Sequence, residues 1–146
     1  MFLGKHLCSV DEKNRLLAPD SFREQLSGDL YISQGFDRNL LILTASAFQE
    51  VYRRVMSLNI ADPLARLLLR MILGTACEIE MDDSGQVAIP NELRDFANLS
   101  DEAYLVGQGD YCEVWAINLW NKLETELRDA EKNASRFAGL TIAMQP

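Results

Sequence analysis

Apolar residues along the chain fall into short runs punctuated by turn-forming polar residues, followed by helical stripes. Leu16-Leu17-Ala18 and Val87-Ala88-Ile89 read as brief strands. Each follows a polar segment, 11–15 or 82–86, that reads as a turn, with Asn14 and Gly85 in the same position. Both residue types tolerate positive φ. Pro19 and Pro90 then predict short helices over 19–26 and 90–96, since a missing N–H costs nothing at a helix start. A further hairpin in each half turns at 35–39 and 107–110 and returns along 40–43 and 112–116. Phe48, Val51, Tyr52, Val55 and Met56 form an amphipathic stripe. Asp62-Pro63 opens a second helix, whose stripe of Leu64, Leu67, Leu68, Met71 and Ile72 ends at Gly74. Leu119, Leu123 and Leu127 line a third helix, with Glu124, Glu126, Asp129 and Glu131 on its other face. Residues 137–146 show no periodic pattern.

These elements occur twice. Asp11, Pro19 and Arg23 recur 71 residues later as Asp82, Pro90 and Arg94, and apolar positions between them match apolar ones. Tyr31 and Asp37 correspond to Tyr104 and Asp110, and Leu43 and Phe48 to Trp115 and Trp120, at offsets of 73 and 72. The small drift is what loop insertions produce. The organisation predicted is one unit at 5–47, bridging helices at 48–75, a second unit at 76–119, and a C-terminal helix and tail at 120–146.

The repeat changes the meaning of the charge. The 146 residues carry 22 Asp and Glu against 14 Lys and Arg, a net of −8. Such a balance would ordinarily argue against nucleic acid, whose binding starts with neutralised phosphates. Residues 1–73, however, hold nine basic and eight acidic side chains, whereas 74–146 hold five and fourteen. The acidity belongs to the second half. At 48% hydrophobic and 25% charged the composition is that of a globular protein. No apolar run approaches the ~20 residues of a membrane span, and the first residues show no signal-peptide core. Three widely spaced cysteines, Cys8, Cys77 and Cys112, fit reduced thiols in a cytoplasm.

Candidate chemistry is sparse. His6, the only histidine, lies two residues from Cys8, and on a strand both would share a face. No third group is placed to orient them, so no catalytic residue is assigned and an enzyme is not expected. Glu78, Glu80 and Asp82 alternate along a predicted strand, but lack a calcium-loop pattern, and a solvated or partner-facing acidic surface explains them better than a metal. No cofactor is expected. Trp115 and Trp120 sit in apolar periodicity and read as core. For Asp11 and Arg15 the plain reading is a surface ion pair closing a turn, worth about 0–1 kcal/mol.

The opening Met1-Phe2-Leu3-Gly4, the segment Asp11-Glu12-Lys13-Asn14-Arg15-Leu16 with Pro19, the stretch from Arg66 to Gly74, Leu105-Val106-Gly107-Gln108 and Glu113-Val114-Trp115 together resemble the MraZ family. The resemblance implies an α+β fold of two tandem SpoVT/AbrB-type units, interlocked as a swapped-hairpin β-barrel (double-ψ, AbrB-like) with flanking helices. It also implies a cytoplasmic, nucleoid-associated transcription regulator. Such proteins assemble into homo-oligomeric rings on repeated boxes of double-stranded DNA upstream of the division and cell-wall gene cluster. Its D-x-x-x-R turns are the family's DNA-contacting elements. Here Asp11 and Asp82 would order the turns, and Arg15 would meet phosphate or a base edge. Lys13 and Asn14 would assist, with Lys5 and Arg23 as weaker candidates. The second turn has Gln86 where the family has arginine, and no membrane is involved. The same fold with weakened DNA binding, serving as a protein-interaction module, is the alternative.

Overall fold

The computed structural model of the chain describes residues 1–140. Its elements follow the repeat. The first half runs β1 (Lys5–Ser9), β2 (Arg15–Leu17), α1 (Asp20–Arg23), β3 (Leu30–Gln34) and β4 (Leu40–Thr44). Two helices, α2 (Ala45–Met56) and α3 (Pro63–Ile72), lead to the second half. There β5 (Cys77–Ile79), β6 (Gln86–Ala88), α4 (Asn91–Ala97), β7 (Glu102–Gly107) and β8 (Tyr111–Ala116) repeat the order, before α5 (Ile117–Leu127) and α6 (Ala130–Phe137).

The halves are exchanged rather than side by side. Hairpins β3–β4 and β7–β8 join through β4 and β8 at the centre of a six-stranded antiparallel sheet ordered β1-β7-β8-β4-β3-β5. Each outer strand lies against the other half's hairpin: β1 pairs β7, with Lys5 opposite Val106 and Ser9 opposite Glu102, and β5 pairs β3. Strands β2 and β6 also pair across the repeat, with Leu16 opposite Val87. The swapped hairpins are therefore present. Among the described residues the barrel is not closed, because the six-stranded sheet ends at β1 and β5. Single bridges, Val10 to Leu16 and Met81 to Val87, link those ends to the β2–β6 ribbon.

Alternation along the strands places one core between the halves. Leu16, Leu30, Ile32, Leu40, Ile42, Val87, Leu105 and Val114 are fully buried there. Phe22 of α1 plugs one side, its ring meeting Phe2 edge-on at 5.1 Å and His6 at 4.7 Å. The N-terminus is fastened to the second half, where Phe2 and Gly109 exchange backbone hydrogen bonds of 2.7 and 2.9 Å. The offsets of 73 and 72 reappear as matched aromatic contacts: Tyr31 stacks on Phe48 at 4.1 Å, and Tyr104 meets Trp120 at 6.4 Å. Trp115 and Trp120 are buried together 5.5 Å apart, as core residues.

Several local expectations need correction. Pro19 and Pro90 occupy the N-cap with extended backbone, and α1 is a single turn instead of spanning 19–26. Helix α3 has the expected Asp62 cap, its carboxylate accepting from Leu64 N at 2.9 Å. Yet Leu64 and Leu67 are 73% and 61% exposed, so only part of the stripe is covered in one chain. Helix α5 buries Trp120 rather than the expected Leu127. It ends before Asp129, which caps α6 by accepting from Lys132 N, so Asp129 and Glu131 belong to a helix that the periodicity does not predict. Of the tail, 141–146 lie outside the described residues. No helix among the described residues is long and apolar enough to cross a membrane.

Candidate nucleic-acid interface

The two turns have one backbone design. In the first, Asp11 N donates to Arg15 O and Asn14 N to Asp11 O, both at 3.0 Å. In the second, Asp82 N donates to Gln86 O at 2.9 Å and Gly85 N to Asp82 O at 3.0 Å. The aspartate closes each from inside: Asp11 Oδ1 accepts from Lys13 N and Arg15 N at 2.9 Å, and Asp82 Oδ1 from Ser84 N and Gln86 N at 2.9 Å. The residue before the last is left-handed in both, Asn14 at φ 63° and Gly85 at φ 82°. Glycine enters that region freely, and asparagine more readily than most other residue types.

The turns differ in what they present. Arg15 Nε donates to Asp11 Oδ2 at 2.9 Å, a contact that fixes the guanidinium plane at the turn. No hydrogen bond among the described residues engages either Nη of Arg15. Lys13 is exposed beside it. Within the segment Asp11 and Glu12 cancel Lys13 and Arg15, and the Arg94 guanidinium that also reaches the turn is taken up by Asp11 O and Asn14 Oδ1. The first turn's offer to an anion is a held guanidinium fork. The second turn has Asp82 and Asp83 and no cation in its own segment, since Gln86 replaces the arginine; the guanidinium packed on its Gly85 is that of Arg23. The amide donated by Arg15 is the main cause holding the Asp11 carboxyl below its ordinary value, helped by the Arg15 side chain and Lys13 N.

A depressed carboxyl contributes order that is complete above the unfolded value and lost as pH falls toward the folded one. NMR titration of the Asp11 carboxyl carbon is therefore expected to give a midpoint below 3.8, with the first turn loosening only in that acid window. A midpoint at or above 3.8 would show that the turn does not hold the charged form.

Of the other predicted residues, Lys5 and Arg23 lie outside the first turn and Asn14 lies within it. Lys5 sits at the far end of β1, on Glu124 at 3.1 Å and over the Tyr104 ring at 4.6 Å. Six residues of extended chain, roughly 20 Å, separate it from Asp11. Arg23 lies against the second turn: a Cβ on Gly85 would meet its Nε at 2.5 Å, while that Nε donates to Ala18 O at 3.1 Å. The Asn14 side chain is engaged internally, by Arg94 Nη1 and Asn91 Oδ1. Arg94 and Asn91 were not among the sequence candidates. The signal for Arg94 was the recurrence of arginine four residues after each proline. Among the described residues no three His, Cys, Asp or Glu side chains gather as a metal site would require. Glu78 instead accepts from the Tyr31 hydroxyl at 3.0 Å. The Cys8 thiol is buried and pushed up to about 11 by desolvation, which holds it protonated at neutral pH, and His6 Nε2 meets Leu3 O at 3.1 Å.

Comparison with known proteins agrees with this architecture. The sequence model of one family, described as "MraZ protein, putative antitoxin-like", matches twice, at residues 1–71 and 72–139. The chain is 37% identical over 138 residues to the "Transcriptional regulator MraZ" of Roseiflexus sp. (strain RS-1), covering 94% of each. It is 38% identical to that of Thermomicrobium roseum, over 90% of this chain and 92% of the relative. To that of Nitrosospira multiformis it is 37% identical, over 97% and 100%. With a tandem fold and matches spanning nearly its whole length, the chain belongs to the MraZ family.

Proposed function

We propose that this protein is a sequence-specific DNA-binding transcriptional regulator. In this reading it acts as a homo-oligomeric ring on repeated promoter boxes of the division and cell-wall gene cluster, at the nucleoid in the cytoplasm. The relatives' name as transcriptional regulators supports the general role. The observation that carries the site is the first turn, where Asp11 holds the Arg15 guanidinium beside the exposed Lys13. The units at 5–47 and 76–119 divide the work: first-unit turns meet DNA, and the acidic second unit faces away or toward neighbouring subunits.

One such turn neutralises too few phosphates for useful affinity at cellular salt. A ring multiplies it, because copies engaging successive boxes act at high effective concentration. The bridging helices support assembly. They and the loop between them expose Leu64, Leu67 and Ile60. Arg66 and Arg70, which pair with no carboxylate among the described residues, are complementary to the acidic half of a second copy, whereas Arg53 and Arg54 already pair with Glu50.

Binding to the promoter upstream of the chain's own gene, measured over a salt series, tests the reading. Affinity is expected to fall steeply, by a log–log slope of about −0.9 per phosphate neutralised. The Gln86 turn, whose own segment has no cation, favours a second reading, an oligomeric protein-interaction module. No retardation at low salt, with the oligomer intact by light scattering, would overturn DNA binding in favour of that module.

A further inference from the structure

Hairpin exchange has an effect on the first turn that neither half could produce alone. Arg94, from α4 in the second half, reaches back into it. Its Nη1 donates to Asp11 O at 3.4 Å and to Asn14 Oδ1. Its Nε donates to Leu99 O at 3.3 Å and its Nη2 to Ser100 O at 3.1 Å, anchoring the guanidinium to its own half. Asn14 Nδ2 donates to Asn91 Oδ1, one helical turn from Arg94, and Asn14 O accepts from Ile89 N at 2.8 Å. Three ties from the second half thus converge on Asn14, the left-handed residue between Lys13 and Arg15.

The reciprocal position is built differently. Arg23 packs against Gly85, but its own bonds go to Ala18 O and to Asp20 at 3.4 Å. The second turn is tied across by Ala18 N donating to Gly85 O at 2.9 Å. An arginine brace on a side-chain amide is found at the turn with Arg15, and glycine stands at the turn with Gln86.

We propose that Arg94 is the positioning residue of the first turn: it holds Asn14 in its left-handed conformation and so sets how Lys13 and Arg15 are presented to DNA, without contacting DNA itself. The inference rests on the reading that this turn meets DNA. All the bonds drawn by Arg94 point inward, to three main-chain oxygens and one amide. Lysine would keep the charge but cannot make four divergent bonds from a planar fork.

Arg94→Lys in the full-length chain separates positioning from contact. Hydrogen–deuterium exchange over residues 10–17 is expected to quicken about tenfold or more while the rest of the fold keeps its protection. Promoter affinity should fall about tenfold overall, roughly twofold for each of three engaged turns and so less than the loss of the contact residue Arg15, with the salt slope unchanged. A direct phosphate contact would behave otherwise. Arg94→Lys would then bind nearly as wild type, and Arg94→Gln would flatten the slope. Either that pattern or unchanged exchange over 10–17 overturns the proposal. Should Arg94→Lys not fold, Asn91→Ala, at an exposed position, removes one tie to Asn14 and is expected to quicken the same peptide less strongly; unchanged exchange there would count against the brace. If the wild-type chain fails to retard the promoter, the DNA reading fails, while the exchange comparison still decides whether Arg94 orders the turn.

Discussion

Arg15→Ala is expected to weaken promoter binding by about a hundredfold or more while leaving the fold and the oligomer intact. The magnitude follows from repetition. A guanidinium contact to a base edge or phosphate is worth roughly 1–3 kcal/mol. Even about 1 kcal/mol per turn, multiplied over three engaged turns, exceeds a hundredfold. The fold should tolerate the change, since the Arg15 side chain is partly exposed and its pair with Asp11 is a surface pair. The turn's backbone bonds to Asp11 come from Lys13 N and Arg15 N, which alanine retains. Fluorescence anisotropy with a labelled promoter fragment measures the loss. Binding like the wild type would remove the first turn from the interface. Gln86→Arg in the Arg15→Ala background is the companion experiment. Asp82 is already placed as Asp11 is, so an arginine can pair there. With the second unit turned away from DNA, no rescue is expected, and full rescue would show that both turns face it.

Phe22→Ala is expected to destabilise the chain by about 3–5 kcal/mol, the usual cost of removing a buried aromatic ring and leaving its cavity. Phe22 is 2% exposed and packs edge-on against Phe2 and His6. Its contacts join α1, β1 and the N-terminal segment, and the last of these is itself fastened to Gly109 of the second half. Loosening it therefore affects both halves. A thermal melt should show the midpoint falling by about 10 °C or more for a chain of this size. A loss below about 1 kcal/mol would mean that the N-terminal segment is not part of the cooperative core.

The two turns were legible because the hydrogen bonds that close each of them lie within five residues. An aspartate accepts amides two and four positions later, and Asn14 or Gly85 takes the left-handed position. The brace on the first turn was not legible as such. Arg23 and Arg94 follow their prolines at the same spacing, and only the exchanged hairpins bring Arg94 to Asn14, 80 residues away in sequence. Lys5 illustrates the converse. It carries the charge of Arg15 and lies on the strand that leads into the turn, yet strand geometry puts it at the opposite end, onto Glu124.

By itself the amino-acid order determined the tandem repeat, the paired turns with their aspartates, most of the strands and the uneven charge between the halves, because these depend on periodicity and on hydrogen bonds between near neighbours. Tertiary structure alone decided which half braces which turn and which leucines of α3 stay uncovered. Those outcomes depend on which surfaces meet after residues 70 to 100 positions apart are folded together. An apolar stripe states that a face can be buried, and only packing states what buries it.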